Sequence, residues 1–240
     1  MNKKFANHLQ VAKKNKEQLL AILLDPDKLP LDQIHEKAVN INKIKVDYIL
    51  VGGSLLFTNL MDSFILELKK HTNIPIILFP GNAMQISNHA DGILFLSLLS
   101  GRNSEFLIGN QVIAAPLLKQ TKLEIISTSY LLIESGRETT ASYISNTKPI
   151  PRHKSEIAMA TALAGEMMGH QITYLDGGSG AQKIIPKKLI EQVAKHVNNP
   201  IIVGGGIQTR KQLNKIYKAG ATLVVIGNAF ENDNLLLDNL

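Results

Sequence analysis

Asp176 ends an apolar run and is followed by three glycines and a serine within four residues; the stretch 173–181 reads TYLDGGSGA. The next two apolar runs close on Gly204-Gly205-Gly206 and on Gly227-Asn228. Glycines let backbone N–H groups approach an oxyanion, and a following helix adds its positive end. Three such clusters in succession read as a phosphate cradle. Tight helix–strand packing also selects glycine, so one GGG alone would carry little weight. The first run ends differently, in Asp25-Pro26-Asp27-Lys28, and the second in Gly52-Gly53-Ser54. Carboxylates without neighbouring cysteine or histidine suit a hard cation such as Mg²⁺, with Asp25 and the Ser54 hydroxyl as oxygen ligands. An Asp-Pro turn and a helix-capping serine would account for the same residues without a metal. A magnesium ion held by one or two protein oxygens completes its shell with water and substrate phosphates. It would therefore imply a second, phosphorylated substrate. Asp176, between cradle and cation, is placed to accept a proton from a substrate hydroxyl, or to serve as a structural acid bonded to backbone N–H groups. His71, His170 and His196 fall near expected helix ends, where they would complement the dipole, and no pair has metal-ligand spacing.

The elements that must position these residues are legible in the hydropathy pattern. Eight short apolar runs occupy 19–25, 48–54, 74–82, 92–100, 123–130, 172–180, 200–206 and 222–228. Most are continuous rather than alternating, as in parallel strands buried on both faces. Helical spacing recurs between most of them, at 31–43, 58–71, 155–170, 186–196 and 209–219, with an extra helix expected over 1–16. Pro186 suits a first helical turn and Gly220 a helix stop. Eight strands alternating with helices in about this length favour a closed (β/α)₈ TIM barrel of one domain, 1–240, over a doubly wound sheet. In such a barrel the strand ends just named share one mouth. Two places break the pattern. Only 83–91 separates the third and fourth strands, short for a packed helix, so the outer ring is expected to lack a helix there. The connection 131–152 is long, and its tyrosine, prolines and basic residues favour an ordered flap.

Composition bounds the function. Of 240 residues, 45% are hydrophobic and 19% charged, enough for a large core and too few charges for a disordered chain. The absence of cysteine excludes disulfides and thiolate metal sites. No secretory signal is read at 1–16 and no run reaches the ~18 residues of a membrane span, so the cytoplasm is the expected compartment. The net charge of +6 is partly local, in MNKK and AKKNK. It suits a solvated helix surface, or attraction to an anionic substrate or lipid headgroups. Aromatics are 5% and tryptophan is absent, so no nucleic-acid partner is expected.

Taken together, LLDPDK (23–28), VGGS (51–54), FPGN (79–82), KPIPRHKSEIAMATALAGEMMG (148–169), TYLDGGSGA (173–181), VGGGIQT (203–209) and IGNAFE (226–231) resemble the geranylgeranylglyceryl phosphate synthase family, the PcrB-like prenyltransferases. The likeness spans nearly the whole chain in motif order, and YLDGGSGA is the form of the family's second group. The resemblance implies a modified TIM barrel lacking one outer helix. It implies transfer of a geranylgeranyl or other prenyl group from its diphosphate to the 3-hydroxyl of sn-glycerol 1-phosphate, the first ether bond of archaeal-type lipids, with Mg²⁺. Carried over by motif, glycerol phosphate would meet Tyr174, Leu175, Asp176, Gly177, Gly178, Ser179, Gly180, Gly204, Gly205, Gly227 and Asn228. Mg²⁺ would meet Asp25 and Ser54, and Asp176 would be the catalytic acid–base. Leu23 stands where the family's first group has a lysine, and Gly177 where second-group members often have alanine. A homo-oligomer, dimer or hexamer, is implied, and contact with a membrane surface for product release is compatible with it. The prenyl tail is expected near Phe79 and Phe95. A sugar-phosphate or indole-glycerol-phosphate isomerase or aldolase would share the cradle, as would a non-catalytic phosphate-binding barrel.

Overall fold

The structure, a computed structural model, describes residues 4–57 and 60–227. Eight parallel strands follow in chain order around a closed barrel: β1 (Leu19–Leu24), β2 (Tyr48–Val51), β3 (Ile76–Leu78), β4 (Gly92–Leu98), β5 (Glu124–Leu132), β6 (Ile172–Asp176), β7 (Ile201–Gly204) and β8 (Leu223–Ile226). β1 pairs with β2 (Ala21↔Tyr48) and with β8 (Leu19↔Leu223), which closes the ring and makes the fold a TIM barrel. Alternate side chains divide between two cores. Leu50, Leu94, Ile126, Ile202 and Val225 fill the interior. Val51, Ile93, Leu131, Leu175, Val203 and Val224 face the surrounding helices. That division explains the continuous apolar runs, since neither strand face meets water.

The outer ring contains α2 (Ile34–Asn42), α3 (Met61–Lys69), α4 (Asn110–Leu118), α6 (Ser155–Met167), α7 (Lys187–His196) and α8 (Arg210–Lys218), with a short α5 (Thr140–Ile144) in the β5–α6 connection. No helix lies in 79–91, between β3 and β4, as the short spacing led us to expect. That loop is instead tied to its neighbour by side chains. Gln85 donates to the Gly53 carbonyl (2.9 Å) and accepts from the Gly81 N–H (3.0 Å), while Gln85 and Ser87 are buried.

α1 (Phe5–Asn15) lies outside the repeating pattern and closes the end of the barrel away from the strand C-termini. Phe5, Leu9 and Ala12 join the interior core. The Glu124 carboxylate, at the start of β5, accepts from the N–H groups of Phe5 (2.6 Å) and Ala6 (3.0 Å). At the other end of α1, Lys13 Nζ donates to the carbonyls of Val197 and Asn199, both 2.9 Å. A plugged bottom leaves the C-terminal mouth as the place for a ligand.

The structure adjusts several expected boundaries. A 3-10 turn (Leu31–Gln33) precedes α2, and α7 begins at Lys187 with Pro186 as its N-cap. β5 continues to Leu132, and Ile133 then bridges Ile150 in parallel, so the flap over 131–152 is ordered. It carries a capping box, with Thr139 and Ser142 exchanging hydrogen bonds at the start of α5. The segment 101–120, where no helix was expected, forms a π-helical turn (Glu105–Gly109) running into α4. Pro116 inside α4 explains why that stretch does not read as helical from sequence.

Candidate active site

A cavity of about 580 Å³ opens at the C-terminal ends of the strands. Three kinds of wall meet there. Asp25, Gly53 and Ser54 follow β1 and β2; Gly178, Ser179, Gly180, Gly205 and Gly227 follow β6, β7 and β8; Phe79, Leu94, Phe95, Leu96, Phe106 and Leu118 form an apolar branch from β3, β4 and α4.

Asp176 is the buried acid between these walls, 7% exposed. Tyr130 Oη donates to its Oδ2 (2.6 Å) and the Gly178 N–H to its Oδ1 (2.8 Å), which fixes the carboxylate plane. Burial pushes the Asp176 carboxyl above the ordinary aspartate range, and the two donors partly oppose that rise. The same burial, reinforced by the Asp176 charge, raises Tyr130 and Tyr174 well above the usual phenol value, so both remain neutral. Tyr174, Tyr130 and Phe79 pack as one aromatic cluster, with Phe79 and Tyr174 stacked at 5.1 Å and the two tyrosines edge-on at 5.6 Å. Sequence reasoning did not single out Tyr130. A usable signal existed in the pairing register, because Tyr130 sits directly opposite Tyr174 in adjacent strands.

The glycine clusters divide by function. Gly177 donates its N–H to the Gly204 carbonyl (3.0 Å), and Gly178 donates to Asp176. Neither N–H is thus available to a ligand. Among the described residues, the N–H groups of Gly180, Gly205 and Gly206 meet no protein acceptor. Gly205 must be glycine: its φ is +92°, and a Cβ there would lie 2.7 Å from the Gly177 backbone. Gly204 serves packing, since a Cβ would press on the Tyr174 hydroxyl. The flap after β5 lies against the same loop. The Arg137 guanidinium occupies the space where a Gly180 side chain would go, and Thr139 does the same at Gly178. Arg137 is a second residue that sequence reasoning missed.

Of the residues expected at the site, Tyr174, Asp176, Gly178, Ser179, Gly180, Gly205, Gly227, Asp25 and Ser54 line the cavity. Leu175 packs outward against the helices, because its neighbours Tyr174 and Asp176 take the inward positions of the strand. Gly177 and Gly204 stand behind the lining, and Asn228 lies outside the described residues. The amino end of α8 is partly self-capped. Thr209 Oγ1 accepts from the Gln212 N–H, while Gln212 Oε1 accepts from those of Gln208 and Thr209, so the helix caps itself.

Across the mouth, Asp25 Oδ1 accepts from the Asp27 N–H (3.1 Å), and Oδ2 pairs with Lys28 Nζ (3.2 Å). Asp25 Oδ1 also lies 3.0 Å from where a Gly53 Cβ would sit, one residue before Ser54. No cluster of three or more His, Cys, Asp or Glu able to hold a metal occurs among the described residues. His170 follows the end of α6, its N–H donating to the Gly165 carbonyl (3.1 Å); burial lowers its pKa, and Nδ1 is hydrogen-bonded to Ser129 Oγ (2.8 Å).

The profile of the PcrB family matches residues 12–240. The geranylgeranylglyceryl phosphate synthase of Flavobacterium johnsoniae is 50% identical over 234 residues, covering 97% of this chain and 96% of its own. That of Thermococcus kodakarensis is 42% identical over 220 residues, with coverages of 91% and 86%. Among solved structures, the (S)-3-O-geranylgeranylglyceryl phosphate synthase of Thermoplasma acidophilum in complex with sn-glycerol-1-phosphate superposes with a TM-score of 0.93 at 30% identity, over 98% of this chain and 95% of its own. An N-acetylmannosamine-6-phosphate 2-epimerase from Clostridium perfringens, at 15% identity and a TM-score of 0.60, shares the fold alone.

Proposed function

The chain belongs to the PcrB family, and from that premise we propose that it joins the 3-hydroxyl of sn-glycerol 1-phosphate to C1 of a prenyl diphosphate, geranylgeranyl diphosphate in the family's name, with release of diphosphate. The product carries the first ether bond of an archaeal-type lipid. One observation carries the reading to this chain: a buried carboxylate, Asp176, held by Tyr130 and Gly178 at the edge of a glycine-lined loop and above an apolar branch.

The geometry supports the following roles. Glycerol phosphate sits on the N–H groups of Gly180, Gly205 and Gly206, with the Arg137 charge behind the loop. Its 3-hydroxyl then faces Asp176. The hydroxyl oxygen attacks prenyl C1, the C1–O bond to diphosphate breaks with its electron pair on the leaving group, and the hydroxyl proton passes to Asp176. A raised carboxyl pKa makes Asp176 a better proton acceptor than an exposed aspartate. Allylic charge is delocalised, so a strong nucleophile is unnecessary. The apolar branch at Phe79, Phe95 and Phe106 takes the tail.

The Asp25 carboxylate and Ser54 hydroxyl are hard oxygen donors on adjoining loops, a set that fits Mg²⁺ shared with a diphosphate rather than a closed protein cage. Bound there, the ion would neutralise charge on the departing diphosphate. We also propose a homo-oligomer. Ile108, Val112, Ile113 and Leu117 leave an exposed apolar stripe around α4, and Ile157, Met167 and Met168 another along α6. No described helix is long and apolar enough to cross a membrane, and a cytoplasmic location is proposed with it.

The test is transfer to labelled glycerol 1-phosphate from a series of prenyl diphosphates. Asp176→Ala is expected to abolish turnover while glycerol phosphate still binds by calorimetry; unchanged turnover would falsify the assigned role.

A further inference from the structure

Every βα loop of a barrel emerges at the same end, so the rim of this mouth can be read from the loops that build it. Its two sides differ. On the β2 and β3 side, Phe57 is 85% exposed and Met84 79% exposed, with Leu55 at 40%. Leu55 and Phe57 also line the cavity, so the apolar rim is continuous with the apolar branch inside. Large apolar side chains held in water beside a cavity opening are the informative exception to ordinary burial.

The β5 to β7 side is basic. The loops and first helical turns over 133–154, 177–188 and 205–211 carry nine Lys and Arg against two Glu, while the whole chain has a net charge of +6. Those three segments sum to +7, so this side of the rim is locally basic. Lys183, Lys188 and Lys211 are all exposed, on the loop before α7 and in the first turns of α7 and α8. Lys183 also packs against Gly136, beside the Arg137 that covers Gly180, which joins the basic rim to the cradle.

We infer that the barrel mouth docks on an anionic lipid surface, with Phe57 and Met84 entering the headgroup layer and Lys183, Lys188 and Lys211 meeting lipid phosphates. Charge complementarity selects the occupant, since a neutral or cationic protein surface would leave the basic side unmatched. Apolar wedge and basic patch are the two signals that together give stable interfacial binding. The use of such a surface rests on the proposed reaction. A donor with a prenyl tail and a product that is itself an anionic lipid would enter and leave through the apolar rim without crossing water. The surface itself rests only on the exposed residues.

The experiment is co-sedimentation of the full chain with vesicles of phosphatidylcholine alone and of phosphatidylcholine with phosphatidylglycerol. Binding is expected to the anionic vesicles and to weaken with salt. At about fivefold per basic residue near an anionic surface, Lys188→Glu/Lys211→Glu should lower partition at least 25-fold. Phe57→Ser/Met84→Ser should lower it at least about tenfold. Met84→Ser alone and the double lysine variant should transfer short, water-soluble prenyl groups at the wild-type rate. No wild-type binding to anionic vesicles, or equal binding to both kinds, overturns the inference. So does a Phe57→Ser/Met84→Ser variant that keeps full vesicle binding but dissociates an oligomer, which would make the rim a subunit contact. Vesicle binding by a chain that transfers no prenyl group upholds this surface and defeats the proposed reaction, so the two fail separately.

Discussion

Replacing Tyr130 by phenylalanine removes one hydroxyl from the wall of the site and leaves the ring in its aromatic cluster. That hydroxyl donates to Asp176 Oδ2 at 2.6 Å, and both residues are buried in the cavity wall. Burial raises the Asp176 carboxyl, and the Tyr130 and Gly178 donors act in the opposite direction by stabilising the charged form. A hydrogen bond to a charged group is worth about 1.5–3 kcal/mol, and about 1.4 kcal/mol corresponds to one pH unit of ionisation. Losing the donor should therefore move the ionisation of Asp176 further upward. Asp176 must be ionised to accept the hydroxyl proton. The acid limb of log kcat/KM against pH, which reports the free enzyme, should shift upward with it. Below that limb the variant loses roughly 10- to 100-fold; on the alkaline plateau it loses little, because a carboxylate with a higher pKa is a stronger base. Asp176→Asn measured alongside should have no residual activity carrying that limb. The reasoning is refuted if Tyr130→Phe lowers kcat/KM equally at every pH, which would make the hydroxyl a substrate contact instead of a tuner of the acid.

Three further outcomes are expected. Gly205→Ala places a Cβ against the Gly177 backbone at φ +92°, so it should cost about 1–3 kcal/mol of stability and raise the KM for glycerol phosphate; a variant with normal KM would remove Gly205 from the cradle. Glu124→Ala removes the acceptor for the Phe5 and Ala6 N–H groups and should cost about 1–2 kcal/mol by denaturant unfolding with kinetics unchanged at saturating substrate, whereas an unaltered midpoint would mean that α1 holds by packing alone. Asp176→Asn should raise the melting temperature at neutral pH: the folded carboxyl titrates above its unfolded value of 3.8, so ionisation weakens the fold as pH rises through that interval, and the gain should vanish below about pH 4.

Much of this architecture is legible in the sequence because a TIM barrel buries both faces of every strand. Runs such as LLAILL and YILV could not be mistaken for half-exposed strands, and the gap at 79–91 follows from spacing alone. The helix containing Pro116 was hidden because proline breaks the local pattern that tertiary packing restores. Within the site, Asp25, Ser54, Asp176 and the glycines announce themselves by lying at strand ends. Tyr130 and Arg137 do not. Tyr130 is one aromatic residue inside an apolar strand, and only its register opposite Tyr174 gives it meaning. Arg137 reaches Gly180 across a fold in the chain that no spacing rule encodes. Glycine counting also overreached, because a glycine run has the same letters whether its N–H groups meet no protein acceptor among the described residues, as at Gly205, or close the strand ladder, as at Gly177.

Thr209 and Gln212 satisfy three N–H groups at the amino end of α8, those of Gln208, Thr209 and Gln212. The Gly180, Gly205 and Gly206 N–H groups give direction with little charge. A formal positive charge does touch that loop: Arg137, carried by the flap that the sequence led us to expect as ordered, lies against Gly180. The acid of the site sits on the far side of the same loop, tied to it through the Gly178 N–H. In the proposed reaction the nine consecutive residues TYLDGGSGA would supply both the base, Asp176, and one backbone donor of the phosphate cradle, Gly180.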